Sequence, residues 1–256
     1  MKTQTLKISS TNQNSLNATL YLASDTEFSS NLIILCHGFT GDQYEWKRFP
    51  KAAEKFVEEG FTALTFDFSG SGKNRRIPIT IKQQVEDLES VFKWAQNQGY
   101  QKISVIGLSF GGLTALLAKI PERKTTVFWA PAFFMRRIIG PKIILMRIIA
   151  LFRKKPIQVD TPNNEPLLLD KTFLDTIYGI DINKTLQNFT ESCLIIQGDR
   201  DRDAKLKYTQ KAYELMPNKE IKKLVIVPGA DHNFKGEHLE QFIEHSIKWI
   251  KDLHNT

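Results

Sequence analysis

The chain has 256 residues, of which 41% are hydrophobic and 25% charged, and its formal net charge is +7. This length and composition predict a globular protein with a substantial buried core and exclude disordered and fibrous classes. No apolar run approaches the roughly 18 residues of a membrane span, and the first residues lack the apolar centre of a signal peptide, so we expect a cytoplasmic protein.

The positive charge is concentrated in one segment. Between Ala132 and Val159 there are seven basic and no acidic residues, and 35 minus 7 equals the 28 acidic residues of the whole chain, so the remainder is neutral. A nucleic-acid-binding protein would spread basic side chains over a docking face with stacking or base-reading partners. We therefore expect no nucleic-acid partner. The seven residues are Arg136, Arg137, Lys142, Arg147, Arg153, Lys154 and Lys155.

Strand and helix patterns alternate along most of the chain. The first two predicted strands alternate polar and apolar residues, as in an antiparallel edge hairpin, whereas later strands are continuously apolar and therefore buried on both faces. This order predicts an α/β fold with a mainly parallel sheet of about eight strands and helices on both faces. The predicted strands are 5–8, 16–22, 32–36, 61–68, 103–106, 126–130, 193–197 and 224–227, and the predicted helices are 44–59, 81–98, 113–119, 204–216 and 236–253.

The alternation stops between residues 132 and 190. We interpret this segment as a short cap inserted into one core formed by residues 1–131 and 191–256. Part of the cap has apolar residues at helical spacing, and residues 156–166 look irregular. The apolar helical positions are Leu145, Ile148, Ile149 and Phe152.

The cap leaves several interpretations open. In the first, its basic residues face water and its apolar helical positions pack on the body of the protein. In the second, the basic and apolar cap contacts an amphipathic substrate or, weakly, an anionic membrane surface. An exposed part of the cap would also suit pairing of two subunits, and the sequence leaves the oligomeric state open.

The sequence Gly107-Leu108-Ser109-Phe110-Gly111-Gly112 follows a predicted buried strand and precedes a predicted helix. A serine on such a sharp turn is raised above the sheet, and the small glycines tolerate the tight backbone. The following helix directs free N–H groups and its positive dipole end at an oxyanion formed there. Ser109 is therefore the candidate nucleophile.

Two later loops carry the residue types that activate a serine. Asp199, Asp201 and Asp203 follow the predicted strand 193–197, and His232 follows the last predicted strand. The carboxyl ends of parallel strands meet at one edge of a sheet, so these side chains should approach Ser109. The chain order serine, acid, histidine is that of α/β-hydrolases.

These motifs, together with His37-Gly38-Phe39-Thr40-Gly41, resemble the α/β-hydrolase fold family of serine hydrolases, in the branch of cinnamoyl and feruloyl esterases and monoacylglycerol lipases. The resemblance covers nearly the whole chain except the cap. It implies a catalytic Ser109–His232–Asp201 triad, with Asp201 selected by the family spacing Gly-x-x-Asp from Gly198. It also implies that the backbone N–H groups of Phe39 and Phe110 form an oxyanion hole.

Other candidate residues receive structural interpretations. We expect His37 to hydrogen-bond within its own loop and Asp67 to be a turn residue that closes a strand. The loop 69–74 lacks the glycine and the hydroxyl residue of a Walker A phosphate loop. His238 and His245 share a helix face without an evident third ligand, so we expect no metal and no cofactor.

The expected function is hydrolysis of small or lipid-like carboxylic esters that carry an apolar or aromatic moiety. The apolar preference rests on several aromatic residues, Met135 and the aliphatic residues of the cap. Of these we expect Phe39, Phe133, Phe134 and Met135 to contact the substrate, and the remaining aromatic residue is Phe110. Three alternatives remain. In the first, the same triad hydrolyses lipids such as monoacylglycerols. In the second, it cleaves an amide, thioester or carbon–carbon bond or transfers an acyl group. In the third, the chain is a receptor-type binding protein with little turnover.

Overall fold

An eight-stranded, mostly parallel sheet forms the centre of the computed structural model, which describes residues 1–11, 15–23, 29–140, 142–152, 155–162, 165–218 and 221–254. The strands, including a separate pair β7 and β8, are β1 (Lys2–Ser9), β2 (Ser15–Leu22), β3 (Asn31–Cys36), β4 (Thr62–Phe66), β5 (Lys102–Leu108), β6 (Thr125–Trp129), β7 (Ile157–Val159), β8 (Leu167–Leu169), β9 (Cys193–Gly198) and β10 (Lys222–Val227). The helices are α1 (Arg48–Glu58), α2 (Ile81–Asn97), α3 (Phe110–Leu117), α4 (Met135–Ile139), α5 (Lys142–Phe152), α6 (Lys171–Gly179), α7 (Ile182–Gln187), α8 (Leu206–Leu215) and α9 (Glu237–His254). A 3₁₀ turn, Glu45–Lys47, precedes α1.

The order of the strands in the large sheet is β1-β2-β4-β3-β5-β6-β9-β10. Strand β2 is antiparallel to both β1 and β4, whereas the other neighbours pair in parallel. The predicted α/β fold with an antiparallel hairpin at one edge is therefore confirmed. Because β3, β5, β9 and β10 run in the same direction, their carboxyl ends place four loops on one edge of the sheet.

Two hydrophobic clusters cover the two faces of the sheet. Residues of α1 and α9 pack on one face around Phe49, Phe242 and the fully buried Trp129. Residues of α2, α3 and α8 pack on the other face, where Leu88 and Leu113 belong to the cluster. The continuously apolar strands β3 and β5 are buried because both of their faces are covered.

The segment predicted as a cap contains α4 to α7 and a small antiparallel pair, β7 and β8. Residues 156–166 were expected to be irregular, and for β7 this expectation is wrong. Strand β7 pairs with β8 from Ile157 opposite Leu169 to Val159 opposite Leu167. The pair is held because Leu167 and Leu169 are buried and the Ile79 N–H donates a 3.0 Å hydrogen bond to the Leu168 carbonyl.

The helix predicted in the cap is present as α5, and the first interpretation of the cap, in which these apolar positions pack on the body, is wrong for this helix. Leu145 is 59% exposed and Phe152 is 85% exposed, and Ile148 and Ile149 are also exposed. The half-buried Met146 instead packs against the core, so α5 contacts the protein through another side. Among the basic residues of the segment, Arg153 and Lys154 and the side chains of Lys142 and Arg147 lie outside the described part. No described helix is long and apolar enough to span a bilayer.

The last described residue of α9, His254, is buried against the sheet. Its Nε2 lies 2.8 Å from the Ser104 hydroxyl, and its ring meets the Phe61 ring edge-on. Burial, with a smaller effect of the charges on Lys102 and Lys124, lowers the pKa of His254 to about 4. The imidazole is therefore neutral in the folded chain at neutral pH.

This histidine makes the fold sensitive to acid. An exposed histidine in the unfolded chain has a pKa of about 6.5, so between about 6.5 and 4 the unfolded state binds a proton that the folded state excludes. We expect the free energy of unfolding to fall over this pH window by on the order of 1–3 kcal/mol because of His254, with no contribution above it. Urea unfolding of the wild type and His254→Gln at several pH values measures the effect. The variant should show a shallower acid dependence, Ser104→Ala should keep the wild-type slope, and equal slopes for all three proteins would contradict the assignment.

Candidate active site

Ser109 occupies the turn between β5 and α3 in a strained conformation, with φ 52° and ψ −112°. A positive φ is unfavourable for a residue with a Cβ, so the surrounding backbone must impose it. The neighbouring glycines permit that packing. A Cβ on Gly107 would lie 2.6 Å from the Gly111 carbonyl oxygen, and one on Gly111 would lie 2.5 Å from the His37 carbonyl oxygen.

The structure brings Ser109, His232 and Asp201 into one hydrogen-bonded chain. His232 Nε2 lies 3.0 Å from Ser109 Oγ, and His232 Nδ1 lies 2.7 Å from Asp201 Oδ2. These distances assign the Nδ1 hydrogen to the bond with the carboxylate and leave Nε2 as the acceptor for the serine proton. Residues separated by as many as 123 positions meet because their loops follow β5, β9 and β10.

The Asp201 carboxylate is buried and held on both oxygens. Oδ1 accepts hydrogen bonds from the Asp203 and Ala204 N–H groups at 2.9 and 2.8 Å. Oδ2 accepts a 2.9 Å bond from the side-chain amide of Gln197, as well as the bond from His232. The sequence does not reveal the part played by Gln197, because a glutamine in an apolar strand has no distinctive pattern.

The other candidate acids, Asp199 and Asp67, do not belong to the hydrogen-bonded chain of Ser109, His232 and Asp201. Asp199 accepts a 2.7 Å hydrogen bond from the Gly229 N–H and so links the loops after β9 and β10. Asp67 is buried and accepts bonds from the Gln43 and Lys73 N–H groups at 2.8 and 3.0 Å, and burial raises its pKa. The predicted turn role of Asp67 is therefore confirmed.

The loop after β3 lies beside Ser109, because the Gly111 backbone contacts the carbonyl groups of Cys36 and His37. The Phe39 and Phe110 N–H groups, which the sequence predicts to form an oxyanion hole, donate no hydrogen bond within the described residues. Phe110 begins α3, so its N–H lies at the positive end of that helix. The predicted role of both N–H groups as an oxyanion hole stays a prediction.

His37 has a structural role, as predicted. Its Nδ1 lies 2.8 Å from the Gly38 carbonyl oxygen, and its Nε2 accepts a 3.1 Å hydrogen bond from the Phe68 N–H. Since an acceptor oxygen faces Nδ1 and a donor faces Nε2, the ring is neutral with its hydrogen on Nδ1. The buried imidazole joins the loop after β3 to the end of β4.

A buried ion pair, which sequence reasoning missed, lies behind the same loop. Glu45 accepts a hydrogen bond from the Gly38 N–H and a 2.7 Å bond from Arg48. Arg48 also donates to the carbonyl groups of His232 and Asn233, at 3.4 and 3.2 Å. Two charged residues three positions apart before a helix are common in sequences, so only the fold distinguishes this pair.

A cavity of about 670 Å³ lies between the elbow helix α3 and the cap. Phe133, Phe134 and Met135 line it, together with Leu113 of α3, and their predicted contact with the substrate stays a prediction. Phe133 follows Ala132, whose N–H donates a 2.9 Å hydrogen bond to the Ser109 carbonyl oxygen. This bond links the backbone beside the cavity wall to the turn that carries Ser109, whereas Ser109, Asp201 and His232 are not among the residues that line the cavity.

The Phe39 ring lies outside the lining of this cavity. It packs edge-on against Phe110, with ring centroids 5.6 Å apart, and contacts Phe173 of α6 at 5.7 Å. The three rings join the loop after β3, the elbow and the cap. The substrate-binding role of Phe39 stays a prediction.

Asp201, Asp203 and His232 are the described residues whose ligand atoms lie close enough together, within 4.8 Å, to hold a metal ion. Both nitrogens of His232 and both oxygens of Asp201 already have hydrogen-bond partners. A metal would have to displace bonds that align the serine and the histidine. Operation without a metal stays a prediction.

Comparison with protein families shows which family the chain belongs to. A family model described as serine aminopeptidase, S33 (Hydrolase_4), matches residues 29–238. The chain belongs to the S33 family of α/β-hydrolases. The match spans the Ser109 elbow, the Asp201 loop and the His232 loop.

Solved structures of other α/β-hydrolases share this fold. Est1E from Butyrivibrio proteoclasticus, in a structure with ferulic acid bound, is 21% identical and superposes with a TM-score of 0.80 over 98% of this chain and 100% of that chain. The esterase Pf2001 from Pyrococcus furiosus is 20% identical, with a TM-score of 0.74 over 98% of this chain and 93% of that chain. At these identities the likeness establishes the fold.

Sequence relatives match over shorter stretches. An uncharacterised 31.7 kDa protein of the traX-finO intergenic region of Escherichia coli is 37% identical over 98 residues, which is 36% of this chain and 34% of that protein. The quorum-quenching protein AidA of Acinetobacter baumannii is 31% identical over 93 residues, 34% of this chain and 30% of AidA. The similarity therefore spans about a third of each relative.

The close approach at Gly111 predicts a strict size limit. In Gly111→Ala the added methyl group meets the Cys36 and His37 carbonyl groups, so the elbow or the loop after β3 must shift. We expect a loss of about 1–3 kcal/mol in the free energy of unfolding, as for other overpacked sites. Urea unfolding measures this loss. The control Gly179→Ala, where no atom lies within 4 Å of the added Cβ, should be neutral or slightly stabilising, and equal stabilities would contradict the packing argument.

Proposed function

We propose that this α/β-hydrolase is a serine esterase that cleaves carboxylic esters with an apolar or aromatic moiety. The observation that carries the proposal is the hydrogen-bonded chain from Ser109 Oγ through His232 to the buried Asp201 carboxylate. This arrangement supplies a nucleophile, a base within reach of its proton and an acid that orients the base.

In the first half of the reaction, Ser109 Oγ attacks the ester carbonyl carbon while His232 Nε2 takes the hydroxyl proton. The resulting oxyanion accepts hydrogen bonds from the Phe39 and Phe110 N–H groups. The tetrahedral intermediate then collapses, the carbon–oxygen bond to the alcohol breaks, and His232 gives its proton to the departing oxygen. The products of this half are a free alcohol and an acyl group on Ser109.

In the second half, water replaces the alcohol. His232 takes a proton from water, and the hydroxyl oxygen attacks the acyl carbon. Collapse of the second intermediate releases the carboxylic acid, and Ser109 recovers its proton from His232. Asp201 stabilises the histidine cation formed in each half, and its bonds to Gln197, Asp203 and Ala204 keep the carboxylate aligned.

The cavity supports an apolar or aromatic preference. Phe133, Phe134 and Met135 provide an apolar wall beside the elbow, and such walls hold the non-reacting part of a ligand. Est1E, which shares the fold, binds ferulic acid, an aromatic acid. We therefore expect the acyl or alcohol part of the ester to occupy this cavity.

The family description also names aminopeptidases, which must recognise a free amino terminus. An ammonium group requires an acceptor with free capacity, usually a carboxylate. Among the described residues that line the cavity, Asp181 is the only acid, and its side chain caps α7 by accepting a 3.1 Å bond from the Lys184 N–H. Arg136 and Arg137 also line the cavity and would repel a cation. These features favour an ester substrate over a peptide amino terminus.

The proposal predicts that activity depends on Ser109. Ser109→Ala should lower kcat/KM for a short aryl ester by at least about 10⁴-fold, and Asp201→Asn by about 10⁴-fold through the wrong histidine tautomer. A fluorophosphonate probe should label the wild type at Ser109 and should not label the alanine variant. Initial rates and peptide mapping by mass spectrometry measure both effects.

Controls separate catalysis from binding and one bond type from another. Asp199→Asn, which lies outside the hydrogen-bonded chain and keeps a side-chain oxygen for the Gly229 N–H, should keep most of the activity. Cinnamoyl esters should react faster than acetyl esters of the same alcohol, and alanine p-nitroanilide should react slowest. A wild type that is neither labelled nor active would contradict the proposal, and preferred cleavage of the anilide would replace esterase by peptidase.

A further inference from the structure

Helix α5 presents an apolar face to solvent. Half of the large apolar side chains that are exposed in the described ranges lie on this one helix, and Phe152 at its end is 85% exposed. With about 3.6 residues per turn, their positions fall on one side of the helix. The exposed side chains are Ile144, Leu145, Ile148, Ile149 and Phe152.

A contiguous apolar face of this kind indicates a binding surface. Scattered exposed leucines or isoleucines are ordinary in folded proteins, but these five residues are clustered on a helix of 11 residues. By contrast, the exposed Ile226 of β10 has one other exposed large apolar residue near it in the sequence, Ile221, which precedes the strand. The face on α5 is therefore suited to a partner with an apolar interior.

The charge of the surrounding segment selects the partner. The sequence from Ala132 to Val159 contains seven basic and no acidic residues. Arg136 and Arg137 before α5 and Lys155 after it are exposed. An apolar helix face within a basic segment matches the layered chemistry of a membrane surface, where anionic headgroups lie above acyl chains.

We propose that the α5 face, defined as Ile144, Leu145, Ile148, Ile149 and Phe152, binds the surface of an anionic lipid bilayer. The helix lies in the interface, its apolar side chains enter the acyl region, and the basic residues of the segment attract the headgroups. The contact is weak and reversible, because a single short helix buries little apolar area. The same face borders the cavity, since Ile144 belongs to the cavity lining as well.

Vesicle co-sedimentation of the whole protein tests this proposal. We expect binding to vesicles of equal parts phosphatidylglycerol and phosphatidylcholine, and little binding to phosphatidylcholine alone. Raising the ionic strength from about 0.1 to about 0.5 M should weaken binding because it screens the headgroup charge. Ile148→Asp and Phe152→Asp should each lower the bound fraction, with a partition coefficient reduced about tenfold.

The matched control is Ile221→Asp, which places the same charge on an exposed apolar position of another surface. It should bind vesicles like the wild type. Light scattering of the wild type and of Phe152→Asp measures the oligomeric state, and so tests whether a second copy of the chain covers the α5 face instead of a bilayer. No binding to anionic vesicles, unchanged binding by both α5 variants, or a dimer that only the α5 substitution dissociates would overturn the membrane proposal.

A second observation, independent of the cap, concerns Glu45 and Arg48. Both side chains are buried, and Arg48 is in contact with the rings of Trp46 and Phe234, at 5.1 and 4.8 Å from its guanidinium carbon. Buried charges are retained only where they are paired and hydrogen-bonded. The Glu45–Arg48 pair meets that condition through bonds to two different loops.

On one side, Glu45 is inserted into the loop after β3. Its carboxylate accepts a hydrogen bond from the Gly38 N–H and occupies the space beside Gly41, where a Cβ would lie 2.7 Å from the carboxyl carbon. Gly38 directly precedes Phe39, whose N–H is proposed to bind the oxyanion. Glu45 therefore holds the residue next to that donor.

On the other side, Arg48 holds the loop after β10. Its Nη1 donates to the carbonyl oxygens of Asn233 and His232, at 3.2 and 3.4 Å. A guanidinium group has a planar set of donors that reaches Glu45 and these carbonyls at the same time, which a lysine ammonium cannot reproduce. Through Glu45, Arg48 thus links the loop of the base to the loop of the oxyanion donor.

The turn that carries the pair is strained. Glu45, Trp46 and Lys47 all have positive φ, at 43°, 53° and 71°, although none is glycine. Three consecutive residues in this region have a combined cost that the packing around them must offset. Strain of this kind is concentrated at functional sites, in agreement with a role beyond stability.

We infer that Glu45 and Arg48 are positioning residues that hold the His232 loop and the Phe39 loop at the correct separation for catalysis. The inference rests on the proposed esterase function. Its test is Arg48→Lys, which keeps the charge opposite Glu45 but loses the planar donors. We expect kcat to fall about 10–100-fold, as for small displacements of reacting groups, with KM changed less than about twofold.

The matched control is Arg123→Lys. Arg123 is equally buried, pairs with Glu191 and donates to the Ala115 carbonyl at 2.7 Å, but it contacts neither loop. It should lose similar stability in urea unfolding and keep its kcat per folded molecule. Glu45→Gln, which keeps an oxygen for the Gly38 N–H and removes the charge, provides a second variant if Arg48→Lys does not fold.

The outcomes are separable from those of the proposed function. Labelling of Ser109 in the wild type by the fluorophosphonate probe establishes the nucleophile independently of Arg48. If the wild type is labelled and folded Arg48→Lys and Glu45→Gln both keep kcat within about twofold, the positioning role is overturned. If Arg123→Lys loses as much kcat as Arg48→Lys, the effect is one of general stability and the inference is likewise overturned.

Discussion

The contact between the backbone of Gly111 and the carbonyl groups of Cys36 and His37 is the constraint on which the site depends. It places the first turn of α3 directly against the end of β3. As a result, Ser109, with its strained φ of 52°, lies beside the loop that carries the Phe39 N–H. A side chain on Gly111 would separate these backbones, and one on Gly107 would meet the backbone of Gly111 and Gly112, so both glycines matter for their size.

Around this contact, the site is assembled by hydrogen bonds that hold loops together. His37 joins the loop after β3 to β4, Asp199 joins the loops after β9 and β10, and Arg48 joins the loop after β10 to the turn before α1. The hydrogen-bonded chain of Ser109, His232 and Asp201 is thus supported on several sides. Loops that are braced in this way can hold reacting groups at fixed distances, which is a requirement for catalysis.

The fold was predictable because its signals are local and repeated. Continuous apolar runs marked the buried strands β3 and β5, and Gly-x-Ser-x-Gly between a strand and a helix marked the elbow. The order Ser109, Asp201, His232 then placed three loops on the same edge of a parallel sheet, since parallel strands leave their carboxyl ends together. Asp201 was distinguished from its neighbour Asp199 only by the resemblance to α/β-hydrolases, which implies the spacing Gly-x-x-Asp from Gly198.

The features that were missed depend on packing rather than pattern. The apolar positions of α5 have helical spacing whether the helix faces the core or solvent, so the spacing did not reveal that Phe152 is exposed. Arg48 gains its role from carbonyl groups more than 180 positions away in the sequence. Gln197 gains its role because the end of β9 places its amide beside the Asp201 carboxylate. Strand β7 is held by its partner β8, which accepts a hydrogen bond from the Ile79 N–H. The spacing of apolar residues in the sequence does not reveal this contact.

The central claim is that Ser109 becomes acylated during turnover. Acid quenching during the steady state with a cinnamoyl aryl ester, followed by peptide mass spectrometry, tests this claim directly. The peptide that contains Ser109 should gain the mass of one cinnamoyl group, and the gain should disappear when the substrate is exhausted. Turnover without an acylated peptide, or acylation of a different residue, would contradict the account.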